Sequence, residues 1–129
     1  MKLRIHRNSL RIRLVQSEVA QLAQGLPLEQ TTEFGPDARL ITRVEPTPAV
    51  VELSATFSNS MVSVHIPLHQ AIIWATGDDV GLESLQSVDA ERSLKILIEK
   101  DFQCLHHVAE GTGDAYPNPR HGVEFASQS

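Results

Sequence analysis

The sequence predicts an α+β fold in which short strands outnumber helices, built from a strand-strand-helix-strand-strand unit that occurs twice. Three observations carry that reading. First, the alternating residues Leu10, Ile12 and Leu14 lead into an apolar stripe that stops at Gly25, and Val62, Val64 and Ile66 lead in the same way into a run that stops at Gly77. Alternation at period two marks a strand with one buried face, whereas recurrence at i, i+3 and i+4 marks a helix. Second, both strands follow turn residues, Arg7-Asn8-Ser9 and Ser58-Asn59-Ser60, with another alternating run ahead of each. Third, Pro46-Thr47-Pro48 punctuates the chain between the two copies. One domain over residues 1–129 is expected, with pseudo-repeats of about 1–46 and 50–102 and an irregular C-terminal tail at 103–129. Two such halves would join through their edge strands into a mostly antiparallel, strongly curved sheet or barrel carrying two short helices.

In chain order, Lys2 to His6 sets Leu3 and Ile5 on one face and Lys2, Arg4 and His6 on the other. Ser9 to Leu14 repeats the pattern, with Arg11 and Arg13 on the polar face. Ser17 is the expected N-cap of the first helix and Glu18 suits its first turn. Val19, Leu22 and Ala23 form the apolar stripe, and Gly25 ends the helix. Leu28 to Phe34 and Ala38 to Glu45 read as a second hairpin about Gly35-Pro36-Asp37. Proline blocks both helix and central-strand continuation, so Pro46-Thr47-Pro48 reads as the joint. Val50 to Phe57 and Met61 to Ile66 read as strands, followed by a helix from about Leu68 to Thr76 with Pro67 at or just before its start. Trp74 is expected to anchor a core shared with Val19, Leu22 and Ile72. Val80 to Val88 is a weaker strand and Ser93 to Glu99 a strong one.

A chain of 129 residues is one ordinary domain, and its 41% hydrophobic and 21% charged residues are globular values. The net charge of −5 argues against a nucleic-acid or anionic-membrane footprint spread over the whole surface. No apolar run approaches the roughly 18 residues of a membrane-spanning helix. The single cysteine, Cys104, excludes an internal disulfide and fits a reducing compartment, so a cytoplasmic location is expected. Few aromatic residues lie in the strands, too few for a nucleic-acid stacking platform.

Two resemblances bear on the reading. Lys2-Leu-Arg-Ile5, Asn8-Ser-Leu-Arg-Ile-Arg-Leu14 and Ser17-Glu-Val19, taken with Glu99-Lys-Asp-Phe-Gln-Cys-Leu105 and Tyr116-Pro-Asn-Pro119, resemble a family of small uncharacterised bacterial proteins. That resemblance implies a stand-alone bacterial domain and brings no activity. The repeated element order is similar in topology to the tunnel-shaped triphosphatase and adenylate cyclase superfamily. That superfamily opens on Glu-x-Glu-x-Lys, whereas this chain opens on Lys2-Leu-Arg-Ile-His6, so the metal-triphosphate chemistry does not carry over.

Three sets of residues could carry function. Arg4, Arg11, Arg13, Arg39 and Arg43, with His6 and His65 at positions of similar polarity, form basic strand faces suited to a phosphate or carboxylate ligand. Pointing inward in a barrel they would line an anion-binding lumen, and pointing outward an ordinary solvated face, with Glu29, Glu33, Glu45 and Glu52 available to neutralise them. Asp101, Cys104, His106, His107 and His121 cluster near the C-terminus and could hold a transition metal, although their spacing matches no paired-ligand zinc signature. Glu99-Lys100-Asp101 ends the last strong strand, where ion pairing with the basic faces is the expected role and acid-base catalysis the sharper alternative. No phosphate loop, nucleophile elbow, zincin motif or dinucleotide fingerprint is present, so an enzyme of a common class is disfavoured and no cofactor is expected. The sequence therefore supports a small ligand-binding or interaction module with a small anion or a protein as partner, and a metal-binding protein or metal-dependent enzyme as the alternative.

Overall fold

A computed structural model describes residues 1–102. Eight strands and two helices follow one another as β1 (Lys2–His6), β2 (Ser9–Leu14), α1 (Gln16–Ala23), β3 (Leu28–Gly35), β4 (Ala38–Thr47), β5 (Ser54–Ser58), β6 (Met61–Pro67), α2 (Leu68–Thr76), β7 (Gly81–Ser87) and β8 (Ser93–Lys100). The strands form two four-stranded sheets, ordered β1-β2-β8-β7 and β3-β4-β6-β5. All four hairpins are antiparallel, and each sheet is joined at its centre by a parallel pair, β2 with β8 and β4 with β6. The α+β class and the mostly antiparallel pairing are thus as the sequence predicts.

The barrel is not. Among the described residues the strands make two separate sheets rather than a closed ring. The helix between two hairpins carries the chain from one sheet to the other, so each sheet takes one hairpin from the first half and one from the second. Strands β5 and β7 approach each other at a sheet edge, but side chains bridge them. The Gln86 amide donates to the Ala55 carbonyl (2.9 Å) and accepts from the Ala55 N–H (2.7 Å), while Ser84 Oγ donates to the Leu53 carbonyl (2.7 Å).

Alternation decides which side chains are buried. Leu10, Ile12 and Leu14 of β2 and Ile96 and Ile98 of β8 lie in one core cluster with Val44 of β4 and Val62, Val64 and Ile66 of β6. The central strands therefore supply most of the core, since each has neighbours on both sides. Val19 and Leu22 of α1 and Ala71 and Trp74 of α2 complete it, and the two helices pack against each other. Ile72, expected in the core, is only half-buried; one position along the helix rotates it away, and Ala71 takes the inward place.

Helix α1 starts one residue before the expected cap. Val15 occupies the N-cap and Ser17 lies inside the first turn. The capping role falls to Glu18, whose Oε1 accepts the Val15 N–H at 2.9 Å while its Oε2 accepts from the Met1 ammonium at 2.6 Å. At the other end Gly25 has φ 76°. Its N–H donates to the Leu22 carbonyl and the Leu26 N–H to the Gln21 carbonyl, the paired bonds of a Schellman turn that favours glycine. Gly77 is required for a different reason: a Cβ there would lie 2.9 Å from the Ile73 carbonyl oxygen.

Two expectations near the joint fail for identifiable reasons. Strand β4 continues through Pro46 to Thr47, because β3 stops pairing at Val44 and leaves that side of Pro46 without a partner whose ladder it could break. Strand β5 begins at Ser54 rather than Val50, because in the register that sets Ser54 opposite His65 the residues before Leu53 would fall opposite Pro67, which has no N–H, and then α2.

Trp74 is only 2% exposed, its indole N–H has no hydrogen-bond partner, and the Lys100 ammonium sits 5.1 Å from its ring centroid. Trp74→Ala is expected to cost about 3–5 kcal/mol by cavity formation, read as a fall in the urea midpoint at unchanged slope. Trp74→Phe, which keeps a ring and removes the unpaired donor, should cost under about 1.5 kcal/mol. A loss below about 1 kcal/mol for the alanine variant would place the ring outside the core.

Candidate functional site

Register in the first sheet sorts the polar residues into rows on the face opposite the core. Lys2 lies across from Arg13, which pairs with Glu99; Arg4 lies across from Arg11, which pairs with Leu97; His6 lies across from Ser9, which pairs with Lys95. The lower two rows line a concave region of about 430 Å³ formed by Arg4, His6, Ser9, Leu10, Arg11, Lys95 and Leu97. Two like-charged pairs, Lys2 with Arg13 and Arg4 with Arg11, thus stand directly opposite each other, an arrangement that destabilises a sheet unless something compensates.

Glu99 supplies part of that compensation. Its Oε1 accepts from Arg11 Nε at 2.7 Å and from Arg13 Nε at 2.8 Å. Burial pushes the Glu99 carboxyl up, but the hydrogen bonds from Arg13 and Arg11 outweigh it and hold the carboxyl below the usual carboxylate range. Asp101 approaches Lys2 at 3.6 Å, and Glu83 of β7 approaches Lys95 at 3.3 Å. Arg4 has no ion pair among the described residues, and the terminal amino groups of Arg11 carry no hydrogen bond there. Ser9 Oγ donates to the His6 carbonyl at 2.6 Å, so its proton is committed and its oxygen remains an acceptor. Arg4, Arg11 and Lys95 are therefore the donors that face the concavity.

The basic residues read from the sequence do not form one face. Arg4, Arg11, Arg13 and His6 share the first sheet, whereas Arg39, Arg43 and His65 belong to the second, because α1 carries the chain into that sheet and both middle hairpins stay there. The second group is internally neutralised around Arg43, which meets Glu29 at 2.9 Å and Glu45 at 3.5 Å. His65 lies between Glu45 Oε1 (3.4 Å) and Thr56 Oγ1 (3.3 Å). Neither group lines the lumen of a closed barrel. Glu99 and Asp101 do meet the basic face, while Lys100 turns to the other side, where its Nζ donates to the Gly77 carbonyl at 2.9 Å. Of the metal candidates, Asp101 is engaged with Lys2, and Cys104, His106, His107 and His121 lie outside the described residues. No cluster of metal-ligating side chains occurs among the described residues. No helix among them is long and apolar enough to cross a membrane. Lys95 and Leu97 were not singled out from the sequence; their only signal there is alternation with Ile96 and Ile98, and their place beside Arg11 depends on the β2–β8 pairing.

Residues 1–120 match the model of a family of unknown function, DUF7009. The chain belongs to that family. No curated protein and no solved structure matches it. The DUF7009 match spans the first hairpin, β8 and Glu99, so the whole described part of the basic face falls within the family region.

Glu99→Gln leaves two guanidinium groups against a neutral amide and is expected to cost about 1–3 kcal/mol by chemical denaturation at low salt. The sign with pH follows from the depressed carboxyl: its stabilisation is present above the unfolded-state value and is lost as pH falls through the lower folded-state value. Wild-type stability should therefore drop more steeply than that of Glu99→Gln below about pH 4.3. Parallel curves would remove Glu99 from the electrostatic account.

Proposed function

We propose that this chain is a small anion-binding module whose ligand sits on the polar face of β1, β2 and β8, held by Arg4, Arg11 and Lys95. The observation that carries the reading is the direct opposition of Arg4 and Arg11 beside Lys95 at a concave surface, with Arg4 lacking an ion pair among the described residues. A sheet that places like charges opposite each other gives up stability there, and an anion bound between them restores it. Glu99 supports the same reading: by taking the Arg11 Nε it fixes that guanidinium while leaving its terminal amino groups to a ligand. Arg39, Arg43 and His65 are not part of the proposed site.

The accompanying reading is of one folding unit derived by internal duplication, acting in the bacterial cytoplasm by binding rather than catalysis. Two equivalent contacts support the duplication. The Asn8 carbonyl accepts from the Lys95 N–H at 3.1 Å, and the Ser60 carbonyl, at the matching hairpin turn, accepts from the Ile41 N–H at 2.9 Å.

Calorimetric titration with inorganic phosphate at low ionic strength tests the site. Wild type should bind in the millimolar range or tighter, Arg4→Ala should weaken binding at least about tenfold, and Arg39→Ala in the second sheet should leave it unchanged. Added salt should weaken the binding through screening. Absence of binding, or binding that Arg4→Ala and Arg11→Ala leave intact, would overturn the proposal.

A further inference from the structure

The ligand's chemistry is also constrained, given the anion-binding reading above. Among the described residues of this face Lys2, Arg4, Arg11, Arg13 and Lys95 stand with the carboxylates Glu83, Glu99 and Asp101, an excess of two positive charges on a chain whose net charge is −5. The excess lies at the β1–β2 side, where Arg4 and Arg11 face each other. Across the sheet the character changes. Leu97 of β8 lines the concavity, and Leu85 of β7 lies directly across from Lys95 on the same face, 70% exposed. Among the described residues no aromatic side chain lines the concavity, so none of them can stack on a nucleobase there.

We infer that the site takes an aliphatic phosphomonoester, its dianionic head between Arg4, Arg11 and Lys95 and its hydrocarbon body along Leu97 and Leu85. Guanidinium forks match the oxygens of a terminal phosphate, and a phosphomonoester carries close to two negative charges at neutral pH, matching the local excess. Strand spacing sets the length. Neighbouring strands lie about 4.8 Å apart, so the path from between β1 and β2 to β8 and β7 runs about 7–12 Å, the reach of a phosphate bearing a chain of roughly six carbons. Glu83, which flanks Leu97 and pairs with Lys95, discourages a second anionic group at the far end.

Titration of the full chain at pH 8 with inorganic phosphate, n-hexyl phosphate and n-hexyl sulfate separates head from tail. Hexyl phosphate should bind about tenfold tighter than inorganic phosphate, through partial cover of two or so methylene groups on the leucines. Hexyl sulfate, with the same tail and one charge, should bind more weakly than hexyl phosphate. Leu85→Ser, at a position 70% exposed and outside the lining of the concavity, should reduce the gain from the tail while leaving inorganic phosphate affinity unchanged, and adding Leu97→Thr should abolish that gain, read as the ratio of hexyl phosphate to inorganic phosphate affinity in the same variant. Equal affinity for phosphate with and without the tail, a tail gain that survives both leucine changes, or hexyl sulfate binding as tightly as hexyl phosphate would overturn this inference while the anion site stands. Failure of all three probes to bind would overturn the anion site itself.

Discussion

The two parallel pairings are the constraint on which the rest of the structure depends. Hairpins are local and form wherever a turn and two alternating runs allow, but four hairpins alone would be four marginal ribbons. Joining β2 to β8 and β4 to β6 turns them into two sheets and gives each central strand neighbours on both sides. Those strands then bury the residues that make up most of the core. The helices are too short to persist alone, and they are held because α1 and α2 close over the same apolar surface. The pairing of β2 with β8 also sets the register that brings Lys95, Leu97 and Glu99 beside Ser9, Arg11 and Arg13.

This hierarchy explains what could be read from the sequence. Three of the four hairpins, both helices and the termination at Gly25 rest on local chemistry and were legible to within a residue or two at most boundaries, while β7 and β8 were legible as strands and not as a pair. Trp74 could be placed in the core because an indole on an apolar helix has few other places to go. Sheet assignment was not legible, because nothing in Arg13 or Arg43 says which remote strand will lie beside it. The five arginines therefore read as one face when they are two. The path of β4 through Pro46 has the same origin, since a proline is excluded from a strand only when a neighbour needs its missing N–H, and that neighbour is fixed by tertiary pairing.

The two polar faces use similar residues to different effect. Around Arg43 the carboxylates come from its own strand and the adjacent hairpin partner, so the charge is balanced within the second sheet. Around Arg11 and Arg13 the balancing carboxylate comes from the far end of the described chain, and one Glu99 oxygen serves two guanidinium groups. Local cation excess is thus built into the first sheet even though the chain as a whole is acidic. Such an excess makes the potential at that face differ in sign from what the net charge of −5 sets for the chain as a whole.

The parallel β2–β8 pair has a consequence for how the protein is made. During synthesis the first hairpin leaves the ribosome long before β8 exists, and one edge of β2 waits without a strand while the chain between Leu14 and Ser93 is completed. The second sheet can close earlier, because β4 and β6 are separated only by β5 and its connections. Assembly is therefore ordered, with the second sheet and its helices able to offer a surface on which the waiting hairpin is finally clamped by the last strand. Arg4 and Lys2, on the outer strand of that hairpin, add charge to an edge that would otherwise recruit strands from neighbouring nascent chains. The cations on this hairpin thus have a place in the life of the chain before the fold is complete, as guards of an edge that stays open until β8 is made.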